Sequence, residues 1–469
     1  MQVLEGLPDS VLVSVLRASC TPVPMQLSLL PYALHQAAVH AAFPSILDDR
    51  SMDLSFYRYE ILEVVWTCLH SITSLRVCGF DDNACTVFLG PHLASLTALQ
   101  KLDLGGSRIG AEGATGLGPY LKSISSLQHL HLGDNNIVAE GAAALGPHLA
   151  SFALLKHLDL QGNVIGAAGA KALGPHLAHL TSLRHLDLRF NRIYAEGATA
   201  LGPHLAKAIS LQLLDLGHNC IGAEGAAALR PHLASLTSLQ HLAVVFNSIG
   251  ADGATVLGCH LAGLTSLQCL DLSTNSIGTK GAYALWPHLA SLESLKRLDL
   301  GANSIGAKGA KALGPHLASL ALLQHLDLRE NRIGAEGATA LGSHLTSLTS
   351  LKYLHLGNNK LGAEGAAALG PHLASLHTLK QLHLCVNRIG PRGAIALGPH
   401  LANLAQLQYL ALSRNSVGAN GAAALGPHLA RLLSLRSLDL GENRLGAQGE
   451  TALEPYLASL SSLKHWRLN

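Results

Sequence analysis

Leucines recur along most of the chain at a fixed spacing of 28 residues. Starting at Leu99, the pattern L-x-x-L-x-L-x-x-N-x-I repeats without an insertion until Leu463 begins the last copy. This gives thirteen complete units and a fourteenth that is cut short at Asn469, and a degenerate unit of 24 residues precedes them from Leu75 through Asn83. A constant period of this length predicts a repeat architecture, in which each unit has the same structure. Positions 1 to 28 are counted below from the first leucine of each unit.

The front half of each unit predicts a short β-strand. The leucines at positions 4 and 6 are two residues apart, which places them on one face of an extended chain. Position 9 is Asn in twelve of the thirteen complete units and Ser107 in the first. An amide both donates and accepts hydrogen bonds, so stacked units should hold these side chains in a ladder that satisfies the backbone where the chain leaves the strand.

The back half of each unit predicts a helix, because leucines at positions 19, 23 and often 26 form one helical stripe. Position 15 is Gly in all thirteen units. Because Gly lowers helix stability, we expect a packing reason for it, namely close approach of a neighbouring element. Pro at position 21, as in Pro119, removes a helical hydrogen bond and clashes with the preceding turn. We therefore expect each helix to be kinked or broken there.

No single unit can bury its own leucines, so only stacking closes the core. Parallel strands would line a concave face, and the helices would cover the convex side. The sequence thus predicts two regions: residues 75–469 form a solenoid of about 14 coils, and residues 1–74 form a small helical N-terminal cap. The chain stops inside the fourteenth strand, so either the strand pairs there or a natural C-terminal cap is missing.

The repeat L-x-x-L-x-L-x-x-N-x-I-G-A-E-G-A-x-A-L resembles the ribonuclease-inhibitor type of leucine-rich repeat. This type also occurs in Ran GTPase-activating protein and in NOD-like receptors. The resemblance covers about Leu75 to Asn469 and implies an α/β leucine-rich-repeat solenoid of horseshoe shape. It also implies a protein-binding scaffold, and it permits a GTPase-activating role of the Ran type. That family carries an acidic C-terminal tail, and this chain ends without one.

The N-terminal segment allows a second interpretation besides a cap. Residues Leu7 to Leu16, with the sequence LPDSVLVSVL, resemble the opening of an F-box. An F-box would make the chain a substrate adaptor of a ubiquitin ligase. The later basic and Trp-containing part of that pattern has no match, because Trp66 lies too far along the chain.

Composition excludes several function classes. A net charge of +2 offers little attraction for nucleic acid. The eight cysteines are scattered without a C-x-x-C pair, which favours reduced thiols over a disulfide framework or a zinc site. The N-terminus lacks a secretion signal, and no run of about 18 apolar residues could span a membrane. We therefore expect a location in the cytoplasm or nucleus, without contact to a membrane.

Catalytic motifs are also missing from the sequence. It contains no G-x-x-x-x-G-K-[ST], no H-E-x-x-H and no G-x-S-x-G. No unit breaks the repeat with a nucleophile and a base. We therefore expect no enzyme activity, cofactor, metal or small-molecule substrate, and a protein as the partner.

The most informative departures from the repeat lie in the units that start at Leu183, Leu211 and Leu239. There, aromatic and apolar residues replace small or polar ones at positions expected to be exposed, next to arginines. Such mixtures are typical of interaction hot spots. The predicted partner-binding residues are Arg189, Phe190, Arg192, Tyr194, Leu213, His218, Val245 and Phe246. The alternative is neutral drift at surface positions.

Other positions predicted on the exposed face are polar. Position 5 is mostly Asp and position 3 is often His, which predicts a stripe of carboxylates and imidazoles. Copying of one unit explains this stripe better than selection for metal binding. A more dispersed second candidate surface contains Arg329, Glu330, Arg332, Tyr353, His355, His383, Arg388 and Tyr409.

Overall fold

The computed structural model describes residues 51–53, 72–77 and 89–468 of the chain. These residues divide into two compact units. The first holds the described residues up to Ile193 together with Pro203–Leu211, and the second holds Tyr194–Gly202 and the described residues from Gln212 onward.

The first unit contains a parallel sheet whose neighbouring strands are consecutive in the chain. Equivalent positions pair, so that Leu102 lies beside Leu130 and Leu130 beside Leu158. The strands are β1 (Ser51–Asp53), β2 (Ser74–Arg76), β3 (Lys101–Asp103), β4 (His129–His131), β5 (His157–Asp159) and β6 (His185–Asp187). The helices are α1 (Gly90–Leu93), α2 (Gly110–Leu121), α3 (Val138–Leu149) and α4 (Gly166–Leu177), and helix α5 (Tyr194–Leu205) is divided between the units.

The second unit repeats the arrangement with a longer parallel sheet. Its strands are β7 (Leu213–Asp215), β8 (His241–Ala243), β9 (Cys269–Asp271), β10 (Arg297–Asp299), β11 (His325–Asp327), β12 (Tyr353–His355), β13 (Gln381–His383), β14 (Tyr409–Ala411), β15 (Ser437–Asp439) and β16 (His465–Arg467). Its helices are α6 (Gly222–Leu233), α7 (Gly250–Leu261), α8 (Gly278–Leu289), α9 (Gly306–Leu317), α10 (Gly334–Leu345), α11 (Gly362–Leu373), α12 (Gly390–Leu401), α13 (Gly418–Leu429) and α14 (Gly446–Ala458).

Each 28-residue repeat forms one coil, with a strand on one side and a helix on the other. The repeat leucines fill the space between them, as Leu351, Leu354, Leu369 and Leu373 do with at most 1% of their surface exposed. The predicted fold class, a solenoid of stacked strand-and-helix coils, is confirmed within each unit.

The asparagine ladder is also confirmed. In the second unit, Oδ1 of Asn331 accepts hydrogen bonds from the backbone N–H groups of Asn303 (3.1 Å) and Ile305 (3.3 Å) in the preceding coil. Its Nδ2 donates to the carbonyl oxygens of Leu300 and Leu328. Each amide therefore satisfies buried backbone groups of two coils, and a missing amide would leave them unpaired.

Two glycine positions are explained by contacts between coils. A Cβ at Gly141 (position 15, α3) would lie 3.0 Å from the Cα of Ala111 in α2, so the expected close approach of neighbouring helices is confirmed. Gly at position 20 has a second role that the sequence did not reveal. The His148 ring, at position 22 of the next coil, occupies the space where a Cβ of Gly118 would stand.

Of the two outcomes expected at the proline, a broken helix is wrong, and a kinked one stays a prediction. Helix α2 continues through Pro119 and ends two residues later at Leu121. Pro119 lies in the last turn, so the missing N–H costs only one hydrogen bond near the end of the helix. A residue before proline normally avoids helical backbone because its Cβ clashes with the proline ring. Gly118 has no Cβ, so most of this clash is absent.

The first coil begins three residues earlier than the leucine pattern predicted. Leu75 pairs with Leu102, which makes it the position-4 residue of its coil. Ile72 and Val77 are buried and take positions 1 and 6. Strand β1 pairs in parallel with β2, inside the segment that the sequence assigned to the cap. Most of the predicted cap, including the F-box-like residues 7–16, lies outside the described residues.

Candidate protein-binding surface

In the described coils from β3 onward, position 8 lies in the turn after the strand, and its large side chains, such as Phe190 and Phe246, are exposed. The backbone there is left-handed, with φ of 55° at Phe246 and 57° at His218. Because left-handed backbone is unfavourable for residues with a side chain, these turns depend on the surrounding hydrogen bonds. For example, the N–H of Phe246 donates to the carbonyl of Ser273 in the next coil at 3.0 Å.

The larger part of the predicted partner-binding patch lies in the second unit. The rings of His218 and Phe246 are stacked, with centroids 4.7 Å apart and planes inclined by 19°. Phe246 still has 49% of its surface exposed. Leu213 on β7 and Val245 are half-buried. We call Leu213, His218, Val245 and Phe246 the aromatic patch.

The other four predicted residues are divided between the two units. In the first unit, Phe190 is 49% exposed, Arg192 is exposed, and Arg189 forms an ion pair with Asp187 at 2.6 Å. Tyr194 belongs to the second unit and is 44% exposed. The exposure that was predicted for Phe190, Tyr194 and Phe246 is confirmed, and their role in binding stays a prediction.

A second surface in the second unit is formed by aromatic and imidazole rings on strands β11 to β14. The rings of His325 and Tyr353 are stacked at 3.9 Å, and those of His355 and His383 at 4.7 Å. Tyr353 and Tyr409 both contact His383, with centroids 5.0 and 4.7 Å away. These five residues form one continuous layer of rings, which we call the ring cluster.

The ring cluster borders two buried carboxylates. Asp299 lies 2.9 Å from Nε2 of His325 and 2.8 Å from the guanidinium of Arg297. Burial alone would raise the pKa of Asp299, but the hydrogen bond from His325 and the charge of Arg297 outweigh it, so this pKa is lowered. Asp327 accepts a hydrogen bond from the backbone of Arg329, yet burial leaves its pKa raised.

Three members of the ring cluster, His355, His383 and Tyr353, are uncharged at neutral pH. Burial, together with repulsion between the imidazoles, lowers the pKa of His355 to about 4. Burial and the charge of His325 do the same for His383. Burial and Asp327 raise the pKa of Tyr353 to about 12. The N–H of Gly357 donates to Nδ1 of His355 at 3.1 Å, so the neutral ring carries its proton on Nε2.

The predicted exposed stripe of aspartates needs a correction for these coils. Asp299 and Asp327 are only 4% and 6% exposed, because the neighbouring Arg297, His325 and Arg329 cover them. Position-5 aspartates elsewhere accept the backbone N–H of position 7, as Asp439 does from Gly441 at 3.0 Å. They hold the turn together more than they offer charge to a partner.

The sheet of the first unit carries four histidines at the same positions, which are His129, His131, His157 and His185. His157 stacks on His129 with centroids 4.1 Å apart. His131 lies between two carboxylates, 2.6 Å from Asp159 and 3.7 Å from Asp103. Its pKa is raised, chiefly by the hydrogen bond to Asp159.

The second candidate surface of the sequence analysis contained Tyr353, His355, His383 and Tyr409, which the structure brings together. It omitted His325, whose ring completes the layer. It also omitted Lys360, which is exposed at the same position as Arg332 and Arg388 in the coil between them. Comparing one position across consecutive coils would have found both residues.

Two further observations concern only the part of the chain that the structure describes. No group of three or more His, Cys, Asp or Glu side chains there is arranged to hold a metal ion. Within the same residues, every helix is too short or too polar to cross a lipid bilayer.

A family model described as "Leucine Rich repeat" matches twelve segments of the chain. They are residues 95–118, 123–146, 153–174, 179–202, 207–229, 235–258, 263–285, 291–314, 319–342, 347–370, 375–398 and 405–426. Together the segments cover more than half of the sequence. The chain belongs to the leucine-rich-repeat family. No curated protein matches this leucine-rich-repeat chain in a sequence search.

Two solved structures of bacterial proteins are similar to this chain. A leucine-rich-repeat protein of Leptospira interrogans is similar with a TM-score of 0.53 and 21% identity, over 80% of this chain and 91% of that one. An internalin from Listeria monocytogenes is similar with a TM-score of 0.44 and 20% identity, over 81% of this chain and 83% of that one. At 21% identity the likeness to the Leptospira interrogans protein concerns the fold alone.

Proposed function

We propose that this chain is a non-enzymatic scaffold that binds a partner protein on the strand side of its coils, with the aromatic patch as an anchor. The observation that carries the proposal is Phe246, whose ring stacks on His218 while half of its surface stays open to solvent. A large aromatic side chain that is held in place but exposed loses little conformational entropy on binding and buries much area. Phe190, Arg192 and Tyr194 would add exposed contacts of the same kind.

The repeat subclass supports the same proposal. Each coil from α2 to α13 pairs a three-residue strand with a twelve-residue helix. This regular strand-and-helix unit agrees with the ribonuclease-inhibitor type that the sequence resembles. Among the described residues, nothing favours the Ran-type or the F-box alternative over a general protein-binding role.

The test has two steps. The full chain, cross-linked to its partners in cell extract, is used to identify a candidate, and the purified candidate is then titrated calorimetrically with variants. Phe190→Ala combined with Phe246→Ala should weaken binding at least tenfold. The control combines Tyr283→Ala and Ile395→Ala, which remove exposed apolar side chains from helices α8 and α12. Equal affinity of the two double variants would refute the proposed surface.

A further inference from the structure

The turns that follow strands β11, β12 and β13 carry a column of three cations. Arg332, Lys360 and Arg388 occupy position 10 of consecutive coils, and all three are exposed. They share left-handed backbone, with φ of 55° or 56°. The same position is Ser in the three preceding coils, at Ser248, Ser276 and Ser304. Arg also occurs at this position in single coils, at Arg108, Arg192 and Arg444, and what distinguishes the column is that three consecutive coils carry a basic residue there.

The backbone fixes the spacing of this column. Hydrogen bonds join the turns directly, from Gly334 N–H to the Asn359 carbonyl and from Gly362 N–H to the Asn387 carbonyl, both at 2.9 Å. Because these turns are hydrogen-bonded like neighbouring strands, successive cations start about 4.8 Å apart along the stack of coils.

The three cations have no counter-ion among the described residues. Two neighbouring arginines are paired by contrast. Arg329 in the turn after β11 lies 3.4 Å from Asp327, and Arg414 in the turn after β14 forms two 2.8 Å hydrogen bonds with Glu442. No ion pair or hydrogen bond involves the side chain of Arg332, Lys360 or Arg388 in the described part of the chain. The column is thus free to receive carboxylates from another molecule.

The ring cluster lies on the strands that lead into these turns. His355 and His383 are neutral, since burial keeps their pKa at about 4, and Tyr353 is neutral because its pKa is about 12. One set of coils therefore offers a line of positive charge in its turns, and uncharged rings on the strands that lead into those turns. A ligand that matches both has acidic groups along one side and apolar groups next to them.

We propose that Arg332, Lys360, Arg388 and the ring cluster together dock an amphipathic helix of a partner protein whose glutamates or aspartates recur every three to four residues. This inference rests on the proposed function and names the partner chemistry for a second surface of the same scaffold. A helix rises 1.5 Å per residue, so acidic residues spaced alternately three and four residues apart lie about 5.3 Å apart. This distance is close to the coil spacing of about 4.8 Å. Over three cations the mismatch is small, and the long, flexible side chains of Arg and Lys can compensate for it.

An extended peptide and a nucleic acid match the spacing of the three cations less well than a helix does. An extended peptide presents one face every second residue, about 6.7 Å apart, and falls out of register by about 2 Å at each cation. One strand of a nucleic acid duplex carries a charge about every 3.4 Å along the helix axis, which is out of register with the coil spacing. The spacing and charge of the surface thus favour the acidic helix.

The experiment uses the full chain and two fluorescent 18-residue helical peptides of identical composition. One has its glutamates on a single face with Leu and Phe beside them, and the other has the glutamates spread around the helix. Fluorescence anisotropy in 50 mM salt should give at least tenfold tighter binding of the one-faced peptide. Equal affinities of the two peptides, or no binding of either, would overturn the inference. A single-stranded oligothymidine of 20 nucleotides that binds more tightly than the one-faced peptide would also overturn it.

Charge reversal then locates the site. Lys360→Glu with Arg388→Glu should weaken binding of the one-faced peptide at least tenfold. The matched control is Lys308→Glu with Lys311→Glu, which changes the net charge equally on helix α9 and should alter affinity less than twofold. A peptide with Lys in place of Glu should prefer the K360E/R388E variant. An absent preference, or a control that weakens binding as much, contradicts the assignment.

The same variants distinguish a failure of the acidic-helix site from a failure of the proposed scaffold function. If the purified partner loses affinity with Phe190→Ala and Phe246→Ala but binds K360E/R388E as tightly as the original chain, the scaffold function stands and the acidic-helix site is wrong. If neither pair of substitutions affects the partner, both proposals are wrong.

Discussion

Gly365 on helix α11 approaches Ala335 on helix α10 so closely that a Cβ at Gly365 would lie 3.0 Å from the Ala335 Cα atom. The obstacle is backbone, which cannot rotate away as a side chain can. Helices of neighbouring coils are therefore held at a distance that only glycine allows at position 15. This explains why the repeat tolerates glycine near the start of every helix despite its low helix propensity.

Gly365→Ala should destabilise the chain by about 1–2 kcal/mol. The overpacking cost of about 1–3 kcal/mol exceeds the gain of up to about 1 kcal/mol from replacing glycine in a helix. Urea unfolding followed by circular dichroism measures the difference. The control is Gly263→Ala, where the added Cβ meets only the His260 carbonyl oxygen at 3.5 Å and should cost little. A loss of stability as large in the control would contradict the explanation by close approach.

Removal of one amide from the asparagine ladder should be more damaging. Asn331→Ala leaves the N–H groups of Asn303 and Ile305 without an acceptor and deprives three carbonyls of a donor. At about 1–3 kcal/mol for each unsatisfied buried group, we expect a loss of at least about 3 kcal/mol. Hydrogen exchange should rise first at the N–H groups of Asn303 and Ile305.

The matching control is Asn420→Ala, since this asparagine is exposed on helix α13 and its loss should change stability by less than about 0.5 kcal/mol. If Asn331→Ala were equally mild, the ladder would be a consequence of the repeat and not a source of its stability.

The fold was predictable because each position repeats thirteen times, so its role can be inferred from the residues it always holds. Asn at position 9 and Gly at position 15 are examples, and the structure gives each the predicted role. The register of the first coil was not predictable in the same way. Ile72 and Val77 take the places of leucines there, so the leucine pattern puts Leu75 at position 1, whereas its pairing with Leu102 puts it at position 4.

The candidate site was only partly predictable. Exposure of Phe190 and Phe246 follows from their position in the repeat. The ring cluster depends on how side chains from different coils turn toward each other, which no single unit encodes. The burial of Asp299 likewise results from Arg297 and His325, on its own strand and the next one, folding over it.

The left-handed backbone at position 12 predicts that replacing Gly and introducing Gly there change stability in opposite directions. Position 12 has positive φ whether it is Gly222 (67°) or Val138 (52°), and nothing lies within 4 Å of where a Gly222 Cβ would stand. Left-handed backbone costs a residue with a side chain about 1–2 kcal/mol. Gly222→Val should therefore destabilise by about 1 kcal/mol, and Val138→Gly should be neutral or stabilising by up to about 1 kcal/mol. Urea unfolding checks both, and effects of the same sign would exclude backbone strain as the cause.

The neutral imidazoles of the ring cluster make stability depend on pH. His355 and His383 have a pKa of about 4 in the folded chain, mainly because of burial, against 6.5 for an unperturbed histidine. Between these values the unfolded chain binds protons that the folded chain does not. Their contribution to stability is therefore complete above pH 6.5 and is lost as the pH falls toward 4. The loss amounts to at most about 1.4 kcal/mol per pH unit for each histidine.

Replacing both residues, His355→Gln with His383→Gln, should flatten the decline of the unfolding free energy between pH 6.5 and 4.5. His131→Gln is the comparison of opposite sign, because the hydrogen bond to Asp159 raises the pKa of His131. Its stabilising effect is complete below pH 6.5 and disappears as the pH rises through the folded value, so this variant should be weakened at pH 6 and approach the original chain at higher pH. Urea titrations at half-unit steps of pH distinguish the two. A decline at acidic pH that persists unchanged in the double variant would show that the ring cluster is not held neutral by burial.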